Sequence, residues 1–232
     1  MSTDFAAPPN FSPINATWIA PLFDPAAVTL EATPGLIDEQ LFPEELAAIS
    51  RAVPKRRAEF GTARICARRA LDALGVAAGS LAPNSDRSPR WPDGVVGSIS
   101  HTARYCAVVV ARSNVLRSVG LDAEVDRELE PGIIDMICTP QERRMLAQRG
   151  RPQHDAVVYF SAKEAFYKCQ YPLTRTFLDF KDAELEVSFE TGTFRVQLRK
   201  VLQPTPPAFH QVQGRFLRNH GLVLSAFELK PV

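Results

Sequence analysis

Apolar positions recur along this chain with two periods. Between Pro54 and Leu74 they fall three and four apart: Phe60, Ala63, Ala67, Ala70, Leu71 and Leu74 make one stripe. Proline at the first turn and Gly75 after the last complete the prediction of a long helix. The same period returns in His154–Tyr171 (HDAVVYFSAKEAFYKCQY), through Val157, Phe160, Tyr167 and Tyr171, and this helix should end before Pro172. Two shorter helices are predicted. One covers Phe42–Ile49, with acids in its first turn. The other opens on the capping box Thr139-Pro140-Gln141-Glu142 and runs to about Arg149.

A period of two marks the strands. Val96–Ala111 (VGSISHTARYCAVVVA) reads as two strands around a polar turn, and Leu116–Glu124 (LRSVGLDAE) as a third. Near the C-terminus AELEVSFE and TFRVQLRKV flank Thr191-Gly192, and HQVQGRFLR and GLVLSAFEL flank Asn219-His220-Gly221. Residues 1 to about 43, rich in Pro, Ala and Thr, read as irregular chain with short extended pieces such as Ala16–Phe23; Ala82–Gly94 reads as a loop. No strict repeat occurs, yet each half holds a long helix followed by antiparallel strands. This predicts an α+β chain of two similar lobes, residues 1–118 and 119–232.

Composition narrows the class. With 232 residues, 45% of them hydrophobic, the chain can bury a large core, and a formal charge of +1 excludes a globally basic nucleic-acid coat. Cys66, Cys106, Cys138 and Cys169 are widely spaced with no C-x-x-C pair, which fits reduced, buried thiols. Neither a signal-peptide pattern nor an apolar run of membrane-spanning length is present, so a soluble, cytoplasmic protein is expected.

Candidate chemistry lies on the predicted elements. Asp122 and Glu124 share one strand face roughly 6–7 Å apart, where their repulsion is about 2.5 kcal/mol at an effective dielectric near 20. A solvated strand end would bear that cost in water; a partly buried one needs a cation, and oxygen-only ligands suit a hard ion such as Mg²⁺. Glu164 and Lys168 are i,i+4 neighbours and could be a surface ion pair, but with Lys163 they sit among Phe160, Ala162, Ala165, Phe166 and Tyr167. Charges on so apolar a helix call for something polar between them, such as a metal-bound phosphate. Arg57, Arg64 and Arg68 fall on one face of the first long helix, with Arg56 beside it, either as a solvated face or as a grip on phosphate. His101 follows Ser98 and Ser100 and precedes Arg104 at the hairpin tip, a set suited to an anion. A P-loop and a G-x-S-x-G elbow are both absent.

VGSISHT, VGLDAE and FSAKEAFYK, in this order and preceded by KRRAEFGTARICARRALDALG and WPDG, resemble the 4′-phosphopantetheinyl transferases. The upstream segments are similar to the subgroup of enterobactin-synthase-associated enzymes and mycobacterial activators. The resemblance implies two α+β lobes related by a pseudo-two-fold, binding coenzyme A and Mg²⁺, or Mn²⁺ in its place, in the cleft between them. It implies holo-carrier-protein synthesis: transfer of the phosphopantetheine arm to a serine of an acyl or peptidyl carrier protein, releasing adenosine 3′,5′-bisphosphate. By resemblance Asp122 and Glu124 are metal ligands, Glu164 is a third ligand, the general base or both, and Lys168 is a pyrophosphate contact with Lys163 nearby. Ser100 and His101 correspond to coenzyme A contacts, and Arg56 and Arg64 to arginines on its adenosine side. Helical geometry aligns Arg57 rather than Arg56 with Arg64, so that choice stays open. The loop before WPDG lacks the lysine that relatives often place at the 3′-phosphate, leaving Arg87 or Arg90 for that contact. The implied partners are an acidic carrier protein and coenzyme A, without nucleic acid or membrane, for a monomer. Ile133, Ile134, Met136 and Ile137 beside Arg143 and Arg144 offer a docking surface for the carrier. Two rival readings are a nucleic-acid-binding module built on the basic helix and a Mg²⁺-dependent phosphotransferase with a nucleotide donor.

Overall fold

A computed structural model of the chain describes residues 9–202, 209 and 212–231. Two compact units meet in sequence at Leu116 and Arg117. Each consists of a long helix packed on an antiparallel sheet.

The first unit holds strands β1 (Asn10–Phe11), β2 (Val28–Thr33), β3 (Val95–His101) and β4 (Cys106–Arg112), ordered β1-β2-β4-β3, with helices α1 (Pro43–Ala48) and α2 (Pro54–Ala73). Strand β2 hides its period. Thr29 and Glu31 alternate with Val28, Leu30 and Ala32, yet all five are buried, because the polar pair finds partners locally. Thr29 meets Thr17 and Asn15, while Glu31 accepts from the Tyr105 hydroxyl and the Ile19 amide. The stretch Ala16–Phe23, expected to be extended, instead turns through a short 3₁₀ helix at Ala20–Leu22. Helix α2 starts at its proline and stops before Leu74, with Gly75 at a positive φ of 71° closing the end.

One flank of α2 (Ala63, Cys66, Ala67, Ala70, Leu71) packs on Leu30, Val108 and Val110 of the sheet. The opposite flank, through Phe60 and Ile65, is covered by Ile37, Leu41 and Ile49. Consequently every residue from Ala58 to Ala67 is buried, and α2 is a central helix rather than an amphipathic surface one.

The second unit holds β5 (Ser118–Val125), α3 (Pro131–Ile137), α4 (Pro140–Ala147), α5 (Pro152–Thr174), β6 (Ala183–Ser188), β7 (Thr193–Leu198), β8 (Gln213–Asn219) and β9 (Leu222–Leu229). Its sheet runs β5-β9-β8-β7-β6. The predicted capping box opens α4: Thr139 accepts from the Glu142 amide and Glu142 from the Thr139 amide. Of the predicted strand HQVQGRFLR, His210 and Gln211 lie outside the described residues. Helix α5 does not end before Pro172 but carries it in its last turn, where only one intrahelical bond is lost. Stacking of Tyr167 on Tyr171 and a left-handed Arg175, whose amide bonds to the Tyr171 carbonyl, finish the helix. Phe166 anchors α5 on the sheet, edge-on to Phe227 at 5.1 Å.

Strand β5 lies unusually close to α5. The Ser118 hydroxyl donates to the Cys169 carbonyl at 2.6 Å. Two residues on, a Cβ at Gly120 would stand 2.7 Å from the Cys169 nitrogen and nearer still to the Ala165 carbonyl oxygen. Period two then turns Asp122 and Glu124 to the same helix-facing side. All four cysteines are free and buried, as expected. No helix among the described residues is long and apolar enough to cross a membrane.

Candidate active site

The second unit brings Asp122, Glu124, Glu164 and Lys168 together. Asp122 is 3% exposed, and its Oδ1 accepts from Lys168 Nζ at 2.7 Å, while the same ammonium donates to the Leu121 carbonyl at 3.1 Å. The carboxylates feel one another. Burial first, then the charge of Asp122, pushes Glu124 up to about 7, with Glu164 adding to the push and Lys168 opposing it. Glu164 is raised by burial and by Asp122, again against Lys168. Three acids opposed by Lys168 and, at Glu124, by Arg127 leave an excess of negative charge in a partly desolvated place, which a hard cation relieves.

The described residues contain no preformed cluster of three or more His, Cys, Asp and Glu side chains at metal-binding spacing. Lys168 stands against Asp122 as a cation would. The Ser225 hydroxyl, on the residue paired with Asp122 across β5 and β9, is buried with no hydrogen-bond partner among the described residues. Donor type, charge excess and an orphaned hydroxyl beside Asp122 fit a hydrated divalent ion, provided that Lys168 turns away from Asp122 when it enters.

Lys163 has a different post from the one expected. Its three donors go to Glu142 Oε2 (2.7 Å) and to the carbonyls of Ile137 and Phe180 (2.8 Å each). An ammonium has three N–H groups, so none is left for a phosphate. Glu142 also accepts from the amides of Thr139 and Leu185, tying α4, α5 and β6 into one buried knot. A cavity of about 230 Å³ opens beside Glu164, walled by Tyr167, Phe177, Leu178 and Phe180.

In the first unit the basic face of α2 is mostly spoken for. Arg57 is held by Asp38 at 2.5 Å and by the Ile49 carbonyl at 3.1 Å. Arg68 forks onto Glu45 at 2.7 and 2.8 Å and reaches the Gln40 carbonyl. Both arginines therefore pin the segment that covers α2, whereas Arg56 stands half exposed and donates to His101 Nε2 at 3.0 Å. Arg64 is 5% exposed, lies over the Phe60 ring at 4.2 Å and has a buried Nε with no partner among the described residues. Burial lowers it to about 10, with Glu45 opposing.

Strand alternation separates the expected Ser100–His101 pair. His101 points toward α2, whereas Ser98 and Ser100 take the opposite face of β3. Glu59, overlooked in the sequence, is buried beside His101; burial raises it, against the pull of Lys55 and Arg56. Its spacing of three and four from Arg56 and Lys55 was a readable signal. Arg87 and Arg90 belong to a loop held by bonds among Asn84, Asp86 and Ser88, with Arg87 at a φ of 69°.

The expected docking surface divides. Ile137 is core, Ile133 and Ile134 pack against the core, and Met136 and Met145 stand 57% and 47% exposed. Arg143 pairs with Asp135, and Arg144 with Gln141.

Comparison with known proteins gives two family matches. The model described as 4′-phosphopantetheinyl transferase N-terminal domain matches residues 43–111, and that described as 4′-phosphopantetheinyl transferase superfamily matches residues 118–221. The chain is 43% identical over 218 residues to the 4′-phosphopantetheinyl transferase Svp of Streptomyces mobaraensis, covering 90% of this chain and 87% of that protein. It is 42% identical over 196 residues to the 4′-phosphopantetheinyl transferase PptT of Mycobacterium tuberculosis, covering 81% and 85%. Enterobactin synthase component D of Salmonella typhi is 40% identical over 121 residues, covering 49% of this chain and 48% of its own.

Proposed function

This chain belongs to the 4′-phosphopantetheinyl transferase superfamily, and from that premise we propose that it moves the phosphopantetheine arm of coenzyme A to a serine hydroxyl of an acyl or peptidyl carrier protein. The observation that carries the reading is the helix-facing acid row of β5 against Glu164 and Lys168, a charge arrangement made for a cation and a pyrophosphate.

Asp122, Glu124 and Glu164 are the residues that would hold Mg²⁺ or Mn²⁺. That ion, when bound, supplies charge stabilisation to the pyrophosphate oxygens. Lys168 exchanges Asp122 for a pyrophosphate oxygen and adds a charge-assisted hydrogen bond as charge grows on the leaving phosphate. Glu164, raised by burial and by Asp122, accepts the proton of the attacking serine hydroxyl. Oxygen–phosphorus bond formation at the pantetheine-side phosphate breaks its bond to the bridging oxygen, and adenosine 3′,5′-bisphosphate leaves. No covalent enzyme intermediate is needed.

The aromatic cavity beside Glu164 suits the uncharged pantetheine arm. Arg56, His101 and the buried, under-satisfied Arg64 suit the adenosine-side phosphates. The carrier is expected at Met136 and Met145, with Arg143 and Arg144 on the rim for its acidic surface.

Incubating an apo carrier domain with coenzyme A and Mg²⁺ should raise the carrier's intact mass by about 340 Da, the size of the arm in this reaction model. Asp122→Asn should abolish the gain, and Glu164→Gln should lower kcat by about 10²–10⁴-fold while leaving coenzyme A affinity near wild type. Full-rate transfer after exhaustive metal removal, or by Asp122→Asn, would overturn the metal assignment. No mass gain on either acyl or peptidyl carriers would overturn the reading itself.

A further inference from the structure

Glu59 has no role in the chemistry described so far, yet α2 buries it among cations. Its Oε1 lies 3.8 Å from Lys55 Nζ; its Oε2 lies 4.0 Å from Arg56 Nη1 and 3.7 Å from His101 Nδ1. The hydrogen bond between Arg56 and His101 settles which way the ring is protonated. A guanidinium can only donate, so Nε2 at 3.0 Å must accept, and the neutral imidazole carries its proton on Nδ1, the nitrogen facing Glu59. At 3.7 Å the Glu59 carboxylate is beyond hydrogen-bond reach of Nδ1, but its charge favours a positive ring.

We propose that Glu59 acts through His101 as a positioning residue: its charge beside Nδ1 favours an imidazolium whose Nε2–H meets an incoming phosphate. When the phosphate draws Arg56 to itself, the ring takes a proton from bulk water and donates it from Nε2 as a hydrogen bond to a phosphate oxygen. Glu59 balances the new imidazolium charge inside the protein. This rests on the reading that a coenzyme A phosphate binds at Arg56 and His101. Around the Glu59–His101 pair stand Lys55, Arg56 and Arg64 on α2, with Cys106 opposite His101 on β4. The cations work against imidazolium formation, and Glu59 is the group that works for it.

The chain has four histidines, so their ring C–H signals can be followed by NMR, with His101 identified by its loss in His101→Asn. In ligand-free protein, Glu59→Gln should lower the His101 titration midpoint by about one pH unit, and Glu59→Asp by less. Calorimetry with adenosine 3′,5′-bisphosphate should then find Glu59→Gln binding about tenfold weaker than wild type at pH 8 and within about twofold of it at pH 5. A bare charge effect has the opposite sign, since deleting an acid tightens anion binding at every pH. An unmoved midpoint in folded Glu59→Gln overturns the proposal; if that variant does not fold, an unmoved midpoint in Glu59→Asp does so. Wild-type protein that fails to bind the bisphosphate overturns the phosphate step alone, because the midpoint is read without ligand.

Discussion

Gly120→Ala tests how the acid row is held. Gly120 lies between Ser118, which bonds to the Cys169 carbonyl, and Asp122, which bonds to Lys168. A methyl group there would meet the backbone of α5 at Ala165 and Cys169, each one residue past a site residue, Glu164 and Lys168. Ordinary contact begins near 3.4 Å, so strand and helix must separate by on the order of 1.5 Å, and neither obstacle is a flexible side chain that can step aside. Overpacking of this kind costs about 1–3 kcal/mol, or roughly 2–12 °C in Tm for a chain of this size. A displacement of 1 Å or more at the reacting groups costs about 10²-fold in turnover. Intact-mass transfer assays and thermal melts on the same preparation read both quantities. If Gly120→Ala transfers at the wild-type rate with an unchanged Tm, the close approach of β5 to α5 does not set the site's geometry.

Lys163→Met should lower stability by about 3–5 kcal/mol in urea unfolding, because Glu142 is left buried and charged. A variant that melts normally but loses coenzyme A affinity would return Lys163 to the phosphate site. Arg143→Glu combined with Arg144→Glu should raise KM for the carrier about tenfold or more and leave coenzyme A binding alone; the reverse pattern in steady-state kinetics would remove the docking assignment. Burial pushes the Cys138 and Cys169 thiols up to about 12 from 9. Between those values the unfolded chain sheds thiol protons that the folded chain keeps, so stability falls with rising pH by about 1.4 kcal/mol per unit for each thiol. Cys169→Ala should therefore flatten the alkaline limb of a Tm-against-pH curve, and a slope identical to wild type would show that this thiol is not protected.

What was legible in the sequence depended on whether a residue's partner was near in the chain. Helix α2, the capping box of α4 and the β6–β7 and β8–β9 pairs announce themselves through local spacing. Strand β2 did not, since its polar face is satisfied by Asn15, Thr17, Ile19 and Tyr105, from 12 to 74 residues away. Pro172 misled for the converse reason: a local breaker is overruled where aromatic stacking and a left-handed cap complete the turn. The pairing of Asp122 and Glu124 was readable from period two alone. Their meeting with Lys168 was implied by the family resemblance but by no spacing in the chain, because it depends on Gly120 admitting the helix.

Charge explains why the cationic residues were hardest to sort. Arg57, Arg68 and Lys163 sit on the same two helices as Arg56, Arg64 and Lys168, and nothing in residue type tells the sets apart. The structure separates them by what they face. The first three are matched by Asp38, Glu45 and Glu142 and assisted by backbone carbonyls, so each is neutralised and geometrically filled within its own unit. Such pairs are costly to break and cannot be lent to a ligand. Of the second set, Arg64 is buried with an unfilled Nε donor, Arg56 is half exposed and leans on His101, and Lys168 pairs with Asp122 within a group of three acids. A near-neutral chain can thus carry a strongly anion-seeking site. Asp38, Glu45 and Glu142 cancel structural cations inside their units, while Asp122, Glu124 and Glu164 gather beside Lys168, so a net charge near zero says little about local charge.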